Sequence, residues 1–259
     1  MWADPDQSGL SLLYRVWWMP PNGALHGLDI DRLMWWNLVA LSVLFLAAHG
    51  LLFAAMVRRK NAVPAGDAFS LKRELIPLAG LTLLYAWMAI SAQRLWATIR
   101  YQGAAPLALQ VEVTGEQFQW YFRYPGVDTA FGQTRPELIN APAGNPLGLD
   151  RTDALGDDDV VSSVLVLPAG REVDLGIRSI DVIHGFFIPG MRLKQNAVPG
   201  MEMHVHFTPS VPGDYPILCS QVCGLGHGRM QAHLRVVAEN EYVAWLASHT
   251  PRRTNGDTQ

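Results

Sequence analysis

The sequence predicts a membrane-anchored protein, a two-helix transmembrane hairpin followed by an all-β sandwich or barrel. Two long runs near the N-terminus, 33–57 and 75–92, carry no formally charged residue. From about Leu107 onward the texture changes to short alternating runs broken by Pro and Gly. Across 259 residues, 17% are charged and 49% hydrophobic, against roughly 25% charge in a soluble domain. That apolar content excludes a mostly disordered chain. With 20 Lys and Arg against 23 Asp and Glu, the chain is not a basic nucleic-acid binder. Two cysteines suffice for one bridge or one metal site, not for a disulfide scaffold.

Residues 1–32 read as an extracytoplasmic lead-in, amphipathic, with Trp17, Trp18 and the Pro20–Pro21 step and without a basic-then-apolar signal pattern. The hairpin occupies 33–99, with helices expected over 33–57 and 75–97. The first run, interrupted only by Asn37, Ser42 and His49, is about 37 Å long as a helix, enough to cross a hydrocarbon core of about 30 Å with some tilt. In the second, Pro77 falls in the first turn, where a missing N–H costs little. Arg94 near its end snorkels to the headgroups. Trp35, Trp36 and Trp96 lie where an aromatic belt would place them. The connecting segment carries Arg58, Arg59, Lys60, Lys72 and Arg73 against Asp67 and Glu74. The positive-inside rule puts it in the cytoplasm, with both termini and the large C-terminal part on the other side. In a Gram-negative bacterium that side is the periplasm, and the chain is a multi-pass protein of the inner membrane.

The β domain is expected over 107–248. Phe118, Trp120 and Phe122 share one face of a period-two run, as do Val173, Leu175 and Ile177, and Met203, Val205 and Phe207. With turn signals at 168–170 and 212–213, this pattern predicts an antiparallel sandwich or barrel. His204 and His206 fall on the outward face. Residues 138–159, rich in Pro, Gly and Asp, read as a surface insertion. Residues 239–248 read as a short helix packing Val243, Trp245 or Leu246 on the barrel, and 249–259 as a flexible tail.

The chemistry concentrates in 219–230, CSQVCGLGHGRM, which holds both cysteines with His227 and Met230. Two thiolates, an imidazole and a thioether are soft-to-borderline donors and suit copper better than calcium or magnesium. Gly224, Gly226 and Gly228 let the backbone turn tightly enough for them to converge. A Cys219–Cys223 disulfide would leave His227 and Met230 unexplained. Zinc rarely takes Met, and a single blue-copper site needs one Cys. A two-copper site bridged by both thiolates uses every one of these residues and needs one more imidazole. His184, in 179–190 (SIDVIHGFFIPG), is the best candidate, although a histidine beside aromatics is more often a core residue.

These residues resemble cytochrome c oxidase subunit II with its binuclear copper centre, CuA. The resemblance runs from about Leu33 to Leu246: two spans, an aromatic strand, the upstream histidine segment and the Cys–Cys–His–Met loop, in that order. It implies a cupredoxin-like Greek-key barrel and the ligand set His184, Cys219, Cys223, His227 and Met230, completed by the backbone carbonyl of Gln221. It also implies that Trp120, within 115–126 (GEQFQWYFRYPG), receives the electron from cytochrome c. By the same resemblance, 190–200 (GMRLKQNAVPG) lines the contact with the catalytic subunit.

Two departures bear on a shared magnesium ion. Where the family commonly has Glu and Asp, this chain has Gln221 and Asn196. A neutral amide is a weaker ligand for a hard divalent cation, so the shared magnesium site is in doubt, with the Gln221 side-chain oxygen as a weak candidate donor. Glu74 resembles the family's proton-uptake acid, although its spacing to Pro77 is shorter and a headgroup-facing acid is the simpler reading. No Cys-x-x-Cys-His follows the barrel, so the form with a fused c-type haem is not expected.

The function implied is subunit II of an aerobic respiratory oxidase. Electrons would pass from cytochrome c, soluble or membrane-held, to haem in subunit I, where an a-type haem and CuB reduce oxygen with coupled proton pumping. Subunit III is a further partner. Asp128 and Asp181 are the acids expected to complement a basic donor, and 157–159 reads as a solvated acidic run. Other readings from the residues are a copper subunit of another terminal reductase, such as one for nitric oxide, or a copper-delivery module.

Overall fold

The computed structural model describes residues 19–58 and 71–251. Trp17, Trp18, Arg59, Lys60, Asp67 and the tail from 252 lie outside the described residues. The chain divides into two compact units, Leu28–Gln102 and a β unit formed by the residues on either side of it.

The first unit holds helices α1 (Gly27–Arg58) and α2 (Leu71–Arg100). Both extend past their apolar runs. Helix α1 starts ahead of Leu33, with Asp29 in its first turn and an Asp29–Arg32 pair at 3.1 Å, matching the helix dipole. Because α2 starts at Leu71, Pro77 lies inside the helix rather than in its first turn. Its ring removes one backbone hydrogen bond, a loss that membrane helices tolerate. Leu51, Phe53, Met56, Ile76 and Leu83 stand bare on the helix surfaces. Both helices are long and apolar enough to cross a membrane, where such side chains face lipid. His49, within the first span, turns Nδ1 onto the Phe45 carbonyl at 2.8 Å, which satisfies one polar atom without water.

The β unit is a two-sheet sandwich. Its strands are β1 (Leu109–Glu116), β2 (Gln119–Tyr124), β3 (Val160–Ser162), β4 (Val164–Pro168), β5 (Val173–Ser179), β6 (His184–Ile188), β7 (Leu193–Ala197), β8 (Met203–Phe207), β9 (Gly213–Cys219) and β10 (Gln231–Val237). One sheet runs β3-β2-β1-β5-β8 and the other β4-β10-β9-β6-β7. The sheets are mixed rather than purely antiparallel, since β1 pairs β5 and β4 pairs β10 in parallel. Both parallel partners are far apart in sequence, so the chain crosses between sheets before returning, as parallel neighbours require. Period two sets the inside: in β10, Ala232, Leu234 and Val236 are buried while Gln231, His233 and Arg235 are exposed. Trp120, Phe122, Leu175, Ile177, Phe186, Ile188 and Ile217 fill the space between the sheets.

Helix α3 (Glu239–His249) closes the unit. It packs through Tyr242, Trp245 and Leu246, the i, i+3, i+4 set of one helix face, whereas Val243 points out. Tyr124 meets Trp245 at 4.9 Å between ring centroids and receives the Val166 N–H on its hydroxyl at 2.7 Å.

Two segments read as peripheral are built into the sandwich. The described end of the lead-in, residues 20–25, lies along it: Gly23 N–H donates to Gly190 O at 2.8 Å, Leu25 N–H to Thr208 O at 3.0 Å, and Ser210 N–H to Gly23 O at 2.7 Å. Arg192 Nη2 reaches Pro20 O at 2.9 Å. Position 23 must be Gly, since a Cβ there would stand 2.6 Å from the Tyr215 ring. The 157–159 run is likewise not simply solvated, because Asp158 and Asp159 are buried. Asp159 accepts from Arg123 Nε at 3.0 Å and from its Nη2. Arg123 also donates to Glu112 Oε2 at 3.0 Å, and Glu112 in turn meets Arg178 at 3.1 Å. These ion pairs pin the insertion to the outer side of the first sheet.

Candidate metal centre

The sequence-distant donors meet through strand register. Antiparallel pairing of β6 with β9 sets Phe186 opposite Cys219, so His184 lies near the cysteine. Ser220 N–H donates to Gly185 O at 2.8 Å and Cys219 N–H to Met230 O at 3.2 Å, which closes both ends of the loop. Within it, Cys219 Sγ and Cys223 Sγ are 3.8 Å apart, and both thiols are free, far from the bonded S–S distance of about 2.05 Å. Cys223 Sγ lies 3.7 Å from His227 Nδ1 and 3.8 Å from Met230 Sδ. The Cys219 thiol donates to the Gln221 carbonyl at 3.2 Å. One ligand atom each from His184, Cys219 and Cys223 falls within 4.8 Å of the others.

His184 is fully buried, with Nε2 2.8 Å from Asp181 Oδ1. A carboxylate on Nε2 fixes the tautomer and leaves Nδ1 as the lone-pair nitrogen. Nδ1 is indeed buried and without a hydrogen-bond partner. An orphaned imidazole nitrogen beside two free thiols, a second imidazole and a thioether is a donor set that fits a soft metal. Burial, together with the neighbouring Cys219, raises the Cys223 thiol to about 11. Asp181 moves the other way: although burial pushes it up, hydrogen bonds from His184, Val182 and Gln117 hold its carboxyl below the usual range.

The other expected site residues lie at different depths and distances from the centre. Trp120 is 0% exposed, its ring edge-on to His184 at 5.8 Å and to Phe186 at 5.1 Å. The ring lies on the inward face of β2, against the imidazole. Gly115 permits the approach, since a Cβ there would lie 2.9 Å from Trp120 and 3.0 Å from His184. The aromatic at the surface is Phe118, 39% exposed. It covers Gly226, where a Cβ would come within 2.4 Å of its ring. The hairpin turn between β1 and β2 lifts Phe118 off the strand's alternation, so period two alone misassigned it. Asp181 is hydrogen-bonded to His184 and to the Gln117 N–H, and its side chain is partly exposed. Asp128 is exposed but follows the far end of β2, about a strand length from the centre, where it accepts the Ala130 N–H. The Gln221 side chain is exposed. Among the described residues, the one group of three or more His, Cys, Asp or Glu able to share a metal contains no carboxylate.

Two apolar helices ahead of a cupredoxin-like β domain with a cradle of thiol and imidazole groups define a membrane-anchored protein with a candidate metal site. Residues 109–237 match the family described as cytochrome c oxidase subunit II, periplasmic domain. The chain belongs to the cytochrome c oxidase subunit II family. An alternative cytochrome c oxidase subunit 2 from Bradyrhizobium diazoefficiens is 42% identical over 141 residues, 54% of this chain and 50% of that one. A cytochrome c oxidase subunit 2 from Synechocystis is 32% identical over 153 residues, 59% of this chain and 36% of the relative. The chain thus spans half or less of the length of these two relatives. Among solved structures, the periplasmic domain of subunit II of cytochrome oxidase from Bradyrhizobium japonicum has a TM-score of 0.42 at 24% identity, over 57% of this chain and 96% of that one.

Proposed function

We propose that this chain is the electron-accepting subunit of an aerobic haem–copper oxidase. In this reading His184, Cys219, Cys223, His227 and Met230, with the Gln221 carbonyl, hold a pair of copper ions. The observation that carries it is the convergence of two free thiols, 3.8 Å apart, with a buried imidazole whose Nδ1 has no other partner. Bound there, a copper pair supplies one-electron redox chemistry, its charge spread over two metals and two thiolates.

The protein's share is orientation and exclusion of water. Asp181 aims His184 through Nε2. Trp120 walls the imidazole, backed by Phe186, and keeps it from rotating. Buried Met230 and Cys223 close the inner side, and Phe118 covers the glycine loop on the outer side. A rigid donor set of this kind limits rearrangement between redox states. The donor is a c-type cytochrome and the acceptor is haem in subunit I. Oxygen reduction and proton pumping belong to that partner, with subunit III beside it. The two helices anchor the domain with both termini on the periplasmic side, which the Arg58 and Lys72 charges at the opposite helix ends support.

Electron paramagnetic resonance of the purified, copper-loaded protein tests this reading. A seven-line copper pattern, with two coppers per chain, is expected and should disappear in Cys219→Ser. A four-line pattern, or a chain that retains no copper, overturns it.

A further inference from the structure

We propose that Gln117 is a positioning residue of the metal cradle, a clasp that ties the cysteine loop to the histidine arm. The inference deepens the functional reading and rests on it for the metal, although the clasp itself is a property of the protein alone. Gln117 Nε2 donates to the Cys223 carbonyl at 2.5 Å, and its backbone N–H donates to Asp181 Oδ2 at 2.7 Å. The other oxygen of Asp181 faces His184 Nε2 at 2.8 Å. Three hydrogen bonds therefore run from the carbonyl beside one thiol to the imidazole, through residues that lie on three different parts of the chain.

The loop depends on outside support at this point. Its hydrogen bonds His227 N–H to Gly224 O and Arg229 N–H to Gly226 O are local turns. They shape the loop but tie its middle to nothing beyond it. Gln117 supplies that tie, and the sequence makes room for it: a Cβ at Gly224 would stand 2.8 Å from Gln117 Nε2 and 3.2 Å from the Phe118 ring. Gly224 also has φ +140°, a conformation that favours glycine. The turn between β1 and β2 thus presses an amide and an aromatic ring onto the same stretch of loop. Groups that orient ligand residues in this way tune a metal site without touching the metal.

The full chain in detergent tests the clasp with Gln117→Leu, which removes the donor, and Gln117→Glu, which keeps the size but sets an acceptor against the carbonyl. Both retain the backbone N–H on Asp181. In the metal-free protein, maleimide modification of Cys219 and Cys223 should accelerate about fivefold, the change in open population expected from one lost hydrogen bond. In the copper-loaded protein, the copper hyperfine splitting and the midpoint potential should shift in both variants. Thiol rates equal to those of the unmodified chain in both variants overturn the clasp. If the unmodified chain takes up no copper, the functional reading fails while the thiol rates still decide the clasp. Should Gln117→Leu fail to fold, Gln117→Glu carries the comparison.

Discussion

Asp181 grips His184: the Asp181 Oδ1 to His184 Nε2 distance is 2.8 Å, and the imidazole's other nitrogen is left buried and unpartnered. The carboxylate thereby fixes the ring of the candidate ligand. Removing it in Asp181→Ala should free the ring and orphan the Gln117 N–H together. We expect copper affinity to fall about 10- to 100-fold, the usual effect of losing such a support. Competition titration against a copper chelator measures it, and an unchanged affinity would show that the imidazole needs no anchor.

Trp120 and Phe118 should separate stability from electron uptake. Trp120 is wholly enclosed, so Trp120→Ala leaves a cavity and should cost about 3–5 kcal/mol. Phe118 is partly exposed and should cost under about 1.5 kcal/mol on truncation. Stopped-flow reduction by cytochrome c should nonetheless slow in Phe118→Ala, since its ring covers the glycine loop of the candidate centre. Denaturation and stopped-flow traces on both variants check this, and equal reduction rates in Phe118→Ala and the unmodified chain would remove Phe118 from the docking face.

The Arg123 network should respond to pH. Arg123→Ala leaves Asp159 buried without its cation, while Glu112 keeps Arg178, a change of about 3–5 kcal/mol. Burial already raises the Asp159 carboxyl despite Arg123. A carboxyl raised in the folded state is most favourable below its unfolded value near 4 and loses that contribution as pH rises through the folded value. Loss of the guanidinium raises it further. The deficit of Arg123→Ala in urea denaturation should therefore be smaller at pH 5 than at pH 7, and a larger deficit at pH 5 would contradict this.

Copper loading should release protons. With the Cys223 thiol raised to about 11 by burial and Cys219, that thiol keeps its proton at neutral pH in the metal-free protein. Thiolate is the binding form. Apparent copper affinity should then climb with pH, by about tenfold per unit for each thiol proton displaced. Affinities compared at pH 6.5 and 7.5 measure it, and a flat profile would mean that the thiols do not bind as thiolates.

Much of this architecture is local information. The spans are legible because charge-free runs of that length have few other uses. The inward faces of β5 and β8 follow from alternation, and the donor residues from the chemistry of the 219–230 loop. The failures are equally physical. Phe118 sits in a turn, where alternation lapses. Asp158 and Asp159 look solvated in a run of acids, yet a buried Arg123 from another strand claims one of them. Pro77 was misplaced within its helix because amphipathic charged residues extend the helix beyond its apolar part.

Hydropathy, period and ligand softness belong to short stretches of chain, and from them the sequence by itself determined the membrane anchor, the β domain and the identity of the soft donors. Only the tertiary structure decided that His184 meets the cysteines, which of its nitrogens is free, that Trp120 stands behind it and that Gln117 reaches Cys223. Each of those depends on register between strands far apart in sequence, where a shift of one residue turns every side chain to the opposite face.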